Sequence, residues 1–219
     1  MKLYQYHHCP FCVRADMAAN WLRVPHEKVY LLNDDEKTCF ELIGAKMVPI
    51  LQLDATAEGP GRAMGESLDI VAELGRHAPG GRAIAPWAEV KAQQAGLSAV
   101  QGAISALLFP RNVRIGLPEF ATPAAVAYFT ERKSAILGTS FDEAFAASDR
   151  HRATVEAALA ALPVPQMPGE TLRMGDVLLF PGLRNLTVVA GLDRPQWVVD
   201  YVAQVAEMTG VQTYEDRAL

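Results

Sequence analysis

The chain has 219 residues, half of them hydrophobic, 21 % charged, with a formal net charge of −5 and only three cysteines. That composition suits a globular chain with ample material for a core, and the scattered basic residues argue against nucleic acid as the main partner. Three cysteines are too few for a disulfide scaffold, and no apolar run approaches the length of a membrane span.

Met1–Tyr6 alternates apolar and polar residues like a short strand, and Val13, Met17 and Trp21, with Ala18 and Leu22 beside them, form a helix face. Between them lies His7-His8-Cys9-Pro10-Phe11-Cys12, where a strand turns into a helix. With Cys9 as N-cap, Pro10 falls at the first helical position, where its missing N–H costs nothing, and Cys12 falls at the third. A sulfur at the cap can accept from the free N–H groups of the first turn, and the helix dipole adds to this. Both effects favour thiolate over thiol. A cysteine of ordinary pKa near 8.5 is only about 3 % ionised at pH 7, whereas a pKa of about 6 gives roughly 90 %. Cys9 is therefore a candidate nucleophile and Cys12 a candidate resolving thiol. The alternatives for the pair are a zinc half-site or an incidental spacing; a structural zinc would need a second ligand pair, and no second CxxC exists.

Lys28–Leu32 reads as the next strand, closing a βαβ unit. Thr38 to Gly44 suggests a short helix capped by Thr38, and Val48–Leu53 a strand entered through Pro49. A cis bond at Val48-Pro49 would turn the Val48 backbone towards the cysteines, where it could pair with an extended peptide. Ala55–Gly61 reads as a turn, Ala63–Gly65 as a short returning strand, and Ser67–Gly75 as a helix capped by Ser67. A helix start with a free hydroxyl receives carboxylates, and Glu66 can accept from an ammonium, so the pair suits an end group carrying both charges. Cys39 reads as a packing residue. His7 and His8 read most simply as exposed turn residues, with support of the thiolate as the alternative.

The order β-α-β-α-β-β-α over residues 1–76 is that of a thioredoxin-like domain. Residues 77–86, with Pro79-Gly80-Gly81 and Ala85-Pro86, read as a linker. Residues 87–219 read as all-helical: Trp87 to about Leu108, Pro123–Leu137 with Thr122 as its cap, Phe141–Leu162, an apolar segment capped by Asp176 and running to about Ala190, and Pro195–Met208. The fold expected is an α/β domain joined to an all-α domain.

Together these residues resemble the glutathione-S-transferase-like superfamily and, more narrowly, the bacterial glutaredoxin 2 family. Cys9-Pro10-Phe11-Cys12 is similar to the family's dithiol motif. Leu31–Asp35, Val48–Leu51, Glu66–Val71 and Phe120–Ala125 resemble further family segments, and Leu179–Gly191, with its mid-helix Pro181, is the most specific. The resemblance implies a glutaredoxin domain, a transferase-like helical domain, and glutathione-dependent reduction of protein disulfides and glutathione mixed disulfides. It implies Cys9 as nucleophile and Cys12 as resolving thiol. It also implies glutathione contacts through Pro10, Phe11, Met47, Val48 and cis-Pro49, with Glu66 and Ser67 holding the γ-glutamyl end. Met47 stands where many glutaredoxins carry Thr, Arg173 where relatives often carry a Ser/Thr cap, and the Gly-Gly pair of short glutaredoxins is absent. The reading is of a metal-free cytoplasmic monomer, without a signal peptide, whose partners are glutathione and disulfide-bearing or glutathionylated proteins rather than nucleic acid or membrane. A glutathione transferase or isomerase acting on a small electrophile is the rival enzyme. A non-catalytic interaction protein that retains the fold is the other alternative.

Overall fold

The computed structural model describes residues 1–55, 61–86 and 89–219. Among them the chain forms four strands and ten α-helices. Strand β1 (Lys2–Gln5) leads into α1 (Pro10–Leu22), β2 (Glu27–Tyr30) and α2 (Glu36–Ile43); β3 (Ile50–Leu53), β4 (Arg62–Met64) and α3 (Ser67–Arg76) follow. The sheet order is β2-β1-β3-β4. β1 pairs with β2 in parallel and with β3 antiparallel, and β3 pairs antiparallel with β4. This is the expected thioredoxin-like arrangement.

The helical half contains α4 (Lys91–Ala99), α5 (Gln101–Asn112), α6 (Pro123–Leu137), α7 (Phe141–Ala146), α8 (Ser148–Ala161), α9 (Met174–Asn185) and α10 (Gln196–Thr209). Two helices expected to be continuous are broken. Val100, at φ −114° and ψ 20°, separates α4 from α5, and Ala147 separates α7 from α8. The start expected at Trp87 and most of the Ala55–Gly61 turn fall outside the described residues. The segment that joins the halves is docked rather than loose. Trp21 Nε1 donates to the Ala83 carbonyl at 3.0 Å, and Ala85 N donates to the Leu172 carbonyl at 2.8 Å.

Three caps differ from expectation. Asp35, not Thr38, caps α2, accepting from Thr38 N at 3.0 Å; Thr38 is the third helical residue instead, and Gly44 ends the helix at φ +72°. Glu66, not Ser67, occupies the cap of α3, because its φ of +63° keeps it outside the helix and makes Ser67 the first helical residue. Asp176 lies one turn inside α9, where its Oδ2 accepts from Arg173 N at 2.9 Å; the cap itself is Arg173. Thr122 does cap α6, accepting from Ala125 N at 3.2 Å ahead of Pro123.

Helix α1 is the centre of the packing. Beyond the expected stripe of Val13, Met17, Ala18, Trp21 and Leu22 it also buries Cys12, Ala15, Asp16 and Ala19. It has α3 on one side and α9 and α10 on the other, so one apolar core runs from Leu3 and Leu22 through Phe180 and Leu183 to Val202. A smaller cluster of Tyr6, Leu31, Cys39 and Ile50 lies under α2 on the opposite face of the sheet. Cys39 is fully buried there, as a packing residue should be.

Within the large core Arg184 is 1 % exposed. Its Nε donates to the Gln212 carbonyl at 2.8 Å, and its Nη1 to the His7 carbonyl at 2.9 Å and to Tyr214 Oη at 2.7 Å. Losing the guanidinium leaves these buried acceptors unmet, at about 1–3 kcal/mol for each group fully stranded. Arg184→Met is expected to lower unfolding free energy by about 3 kcal/mol in urea titration. Arg132→Met, whose exposed ion pair with Glu36 spans 3.3 Å, should cost less than about 1 kcal/mol.

Candidate active site

Cys9 is the N-cap of α1, with extended backbone at φ −74° and ψ 119°, and its carbonyl accepts the first helical bond from Val13 N at 3.0 Å. Pro10 occupies the first helical position. Cys9 is half-buried, Phe11 projects into solvent at 51 % exposure, and Cys12 is fully buried. All three cysteines are reduced.

The two thiols are electrostatically unequal. A hydrogen bond from the Cys12 thiol is the largest influence drawing the Cys9 pKa down to about 7. Burial opposes this, while the His8 ring and the N–H groups of Cys12 and Phe11 reinforce it. The sulfur closes no cap hydrogen bond of ordinary geometry, so the first turn acts on it mainly through its dipoles. Burial pushes Cys12 the other way, and the hydrogen bond to Cys9 and the charge there raise it further. Its Sγ accepts from Tyr6 N at 3.4 Å.

Cys9, Pro10 and Phe11 form one wall of a cleft of about 420 Å3, and Met47 and Val48 form another. The Val48-Pro49 peptide is cis. Among the described residues no backbone group bonds to the N–H or carbonyl of Val48, which leaves both free for an extended ligand. Helix α6 closes the far side with Tyr128, Phe129, Arg132 and Lys133. Lys46 lies at the rim, where its Nζ donates to Tyr6 Oη at 2.8 Å and to the Asp35 carbonyl at 2.9 Å. Among the described residues three cations and no carboxylate line this cleft, so its local field is opposite in sign to the chain's net charge.

Pro49, Glu66 and Ser67 do not line the cleft. Pro49 is buried behind Val48, Glu66 is exposed, and Ser67 is 6 % exposed at the start of α3. They lie beyond Met47: a Cβ added to Gly65 would stand 3.3 Å from the Met47 sulfur. Glu66 sits in the left-handed region that residues other than glycine rarely adopt, at a cost of about 1–3 kcal/mol. That backbone leaves the first N–H groups of α3 without helical partners.

The histidines are not exposed turn residues. Both are half-buried and held by the helical half. Tyr214 Oη donates to the His7 carbonyl at 3.0 Å, and Arg184 Nη2 to His7 Nδ1 at 3.1 Å. Burial and the neighbouring guanidinium bring the His7 pKa down to about 4. Asn185 Nδ2 donates to the His8 carbonyl at 2.8 Å, and the His8 N–H donates to Glu119 Oε1 at 2.9 Å. Glu119, Arg184, Asn185 and Tyr214 were invisible to local pattern. The one available signal was Arg184-Asn185, two polar residues closing an otherwise apolar helix.

Comparison with known proteins agrees with this architecture. Residues 3–82 match the glutathione S-transferase N-terminal domain, and residues 93–218 match the glutaredoxin 2 C-terminal domain. The chain is 37 % identical to glutaredoxin 2 of Escherichia coli strain K12 over the whole of both proteins. It superposes on the crystal structure of glutaredoxin 2 from Salmonella typhimurium in complex with glutathione with a TM-score of 0.88 and 37 % identity, covering 100 % of this chain and 98 % of that one. A glutathione transferase from Phanerochaete chrysosporium, at 15 % identity and a TM-score of 0.61 over 94 % of this chain and 96 % of that one, shares the fold. Two cysteines at the head of α1, a cis-proline wall facing them and full-length identity place the chain in the glutaredoxin 2 family.

Proposed function

We propose that the protein is a glutathione-dependent thiol–disulfide oxidoreductase in which Cys9 is the nucleophile and Cys12 the resolving thiol. The observation that carries this reading is the inequality of the two sulfurs: one half-buried at a helix cap with its pKa drawn to about 7, the other buried one turn away with its pKa raised.

The Cys9 thiolate attacks the glutathione sulfur of a protein–glutathione mixed disulfide, and the protein leaves as its thiolate. A second glutathione thiolate then attacks the glutathione sulfur held on Cys9, releasing oxidised glutathione and regenerating Cys9. Alternatively Cys12 loses its proton and attacks the Cys9 sulfur; glutathione leaves as its thiol, and two further glutathiones reduce the Cys9–Cys12 disulfide. A protein disulfide enters by the same attack, with Cys12 expelling the second protein thiol. Exchange runs best when the attacking thiol has a pKa near ambient pH, and about 7 meets that condition. Cys12 is held protonated partly by its hydrogen bond to Cys9 and the negative charge there. Both influences vanish once Cys9 is tied up in a mixed disulfide, so Cys12 becomes more acidic at the step that needs it.

Val48 pairs with the backbone of the bound tripeptide, Pro49 fixes that wall, and Met47, Pro10 and Phe11 border the glutathione sulfur. An extended tripeptide spans about 10 Å, which lets its γ-glutamyl end pass Met47 to Glu66 and the free N–H groups around Ser67. Lys46 on the opposite rim suits the other carboxylate. Conjugation to a small electrophile, the rival activity, has no use for Cys12.

Iodoacetamide should alkylate Cys9 with a rate that rises with pH through a midpoint near 7, because its folded pKa is depressed and thiolate accumulates above that value. At pH 6 roughly 9 % would be thiolate, against about 0.3 % for a cysteine of ordinary pKa; a midpoint above 8 contradicts the thiolate assignment. Cys9→Ser is expected to reduce deglutathionylation to background, while Cys12→Ser keeps a monothiol activity within about tenfold of the parent. Full activity in Cys9→Ser would overturn the proposal.

A further inference from the structure

Glu119 lies in the helical half, on the turn of residues 117–121, and its side chain is fully buried. A buried carboxylate is costly unless its charge is met. Oε1 accepts from the His8 backbone N–H at 2.9 Å and lies 2.5 Å from His8 Nδ1, whereas Oε2 has no hydrogen-bond partner among the described residues. Burial pushes the Glu119 pKa up, yet the His8 ring and N–H outweigh it and hold the carboxyl below its usual range. The other contact to this residue is made by its main chain, where the Glu119 carbonyl accepts from Asn33 N at 2.9 Å. Among the described residues the only side-chain partner of this acid is therefore the residue that precedes Cys9.

The His8 ring is held in a box. It stacks on Phe120 at 5.2 Å and on Tyr6 at 5.8 Å, and meets Phe129 edge to face at 5.2 Å. It borders the same cleft as Cys9 and favours the Cys9 thiolate. A carboxylate against one ring nitrogen fixes the ring's orientation and tautomer, with the Nδ1 proton facing Glu119. Glu119 thus holds a ring that borders the Cys9 cleft, in the relation an orienting acid bears to its histidine on unrelated folds.

We propose that Glu119 is a positioning residue for thiol exchange: from the helical half it fixes the His8 ring through Nδ1, and through that ring sustains the reactive form of Cys9. The proposal deepens the oxidoreductase reading and rests on it. Its test uses alkylation, which needs no disulfide substrate, so that its failure is separable from a failure of the assigned activity. The other charged or titratable groups facing the thiols are Cys12 and Arg14 from α1, Tyr6 from β1, Lys46 from the α2–β3 connection, and Tyr128, Arg132 and Lys133 from α6. Among the described residues none of them hydrogen-bonds Glu119, whose charge also raises Cys12 directly, and Glu119→Gln leaves all of them in place.

In Glu119→Gln the rate of Cys9 alkylation at pH 6 should fall about five- to tenfold while the plateau above pH 9 stays within about twofold, a shift of the whole profile to higher pH. In a His8→Asn background the same substitution should move the profile no further, because the acid acts through the ring. A Glu119→Gln profile that overlays the parent, or an equal shift without His8, overturns the proposal. Should Glu119→Gln not fold by near-ultraviolet circular dichroism, 15N chemical shifts of the histidine rings decide it in the unaltered protein. A protonated His8 Nδ1 at neutral pH is expected, and a bare Nδ1 with the proton on Nε2 refutes it.

Discussion

The turn that delivers the nucleophile, His7-His8 ahead of Cys9, runs between β1 and α1 and belongs to neither. Its backbone groups are half-buried and still require partners. The helical half provides them: Arg184 and Tyr214 meet the His7 carbonyl, Asn185 meets the His8 carbonyl, and Glu119 meets the His8 N–H. The thiol's position is therefore set jointly by both halves, although both cysteines come from the first. The same contacts explain why a guanidinium can be buried at Arg184, since its donors are spent on fixed acceptors in the turn and the C-terminal segment.

Holding the turn still has an electrostatic consequence. Dipoles and charges that favour a thiolate act only if the sulfur stays where they point. Cys9 at the cap faces the first-turn N–H groups, the Cys12 thiol and the His8 ring, whereas Cys12, three residues on, lies beneath the helix with the Tyr6 N–H as its backbone partner. Three residues of helix thus give one residue type two environments, one that favours the thiolate and one that favours the thiol. The helix head alone supplies part of this. The rest we assign to a ring whose carboxylate partner, Glu119, comes from more than a hundred residues away.

That separation divides what could be read in the chain from what could not. Cys9-Pro10 at a helix start, Thr122-Pro123 as a cap and Val48-Pro49 at a strand entrance are local signals with local causes, and the structure has each where its residue chemistry puts it. The breaks at Val100 and Ala147 carried no glycine or proline, so periodicity ran straight through them. Ser67 was the better capping residue by type, but the left-handed backbone at Glu66 moved the cap one place earlier; Asp35 displaced Thr38 by a different route, its side chain accepting from the Thr38 N–H three residues on. Glu119 and Tyr214 meet the turn across 111 and 207 residues. No window along the sequence contains both partners, so a histidine beside the nucleophile read as an ordinary exposed turn residue.

A glutathione transferase shares this fold at 15 % identity, and a shared fold alone does not decide the chemistry. What happens in the cleft is decided by the groups at the helix head. With a thiol at the cap and a second one turn inside, the chemistry available is attack on sulfur followed by internal resolution. Without the second sulfur the same cleft could hold a tripeptide thiol but could not close a disulfide behind it. The helical half is then more than a lid on the site: by meeting the His7 and His8 carbonyls and the His8 N–H, and by placing one buried acid against His8, it holds the cap thiol where the helix head and the ring act on it.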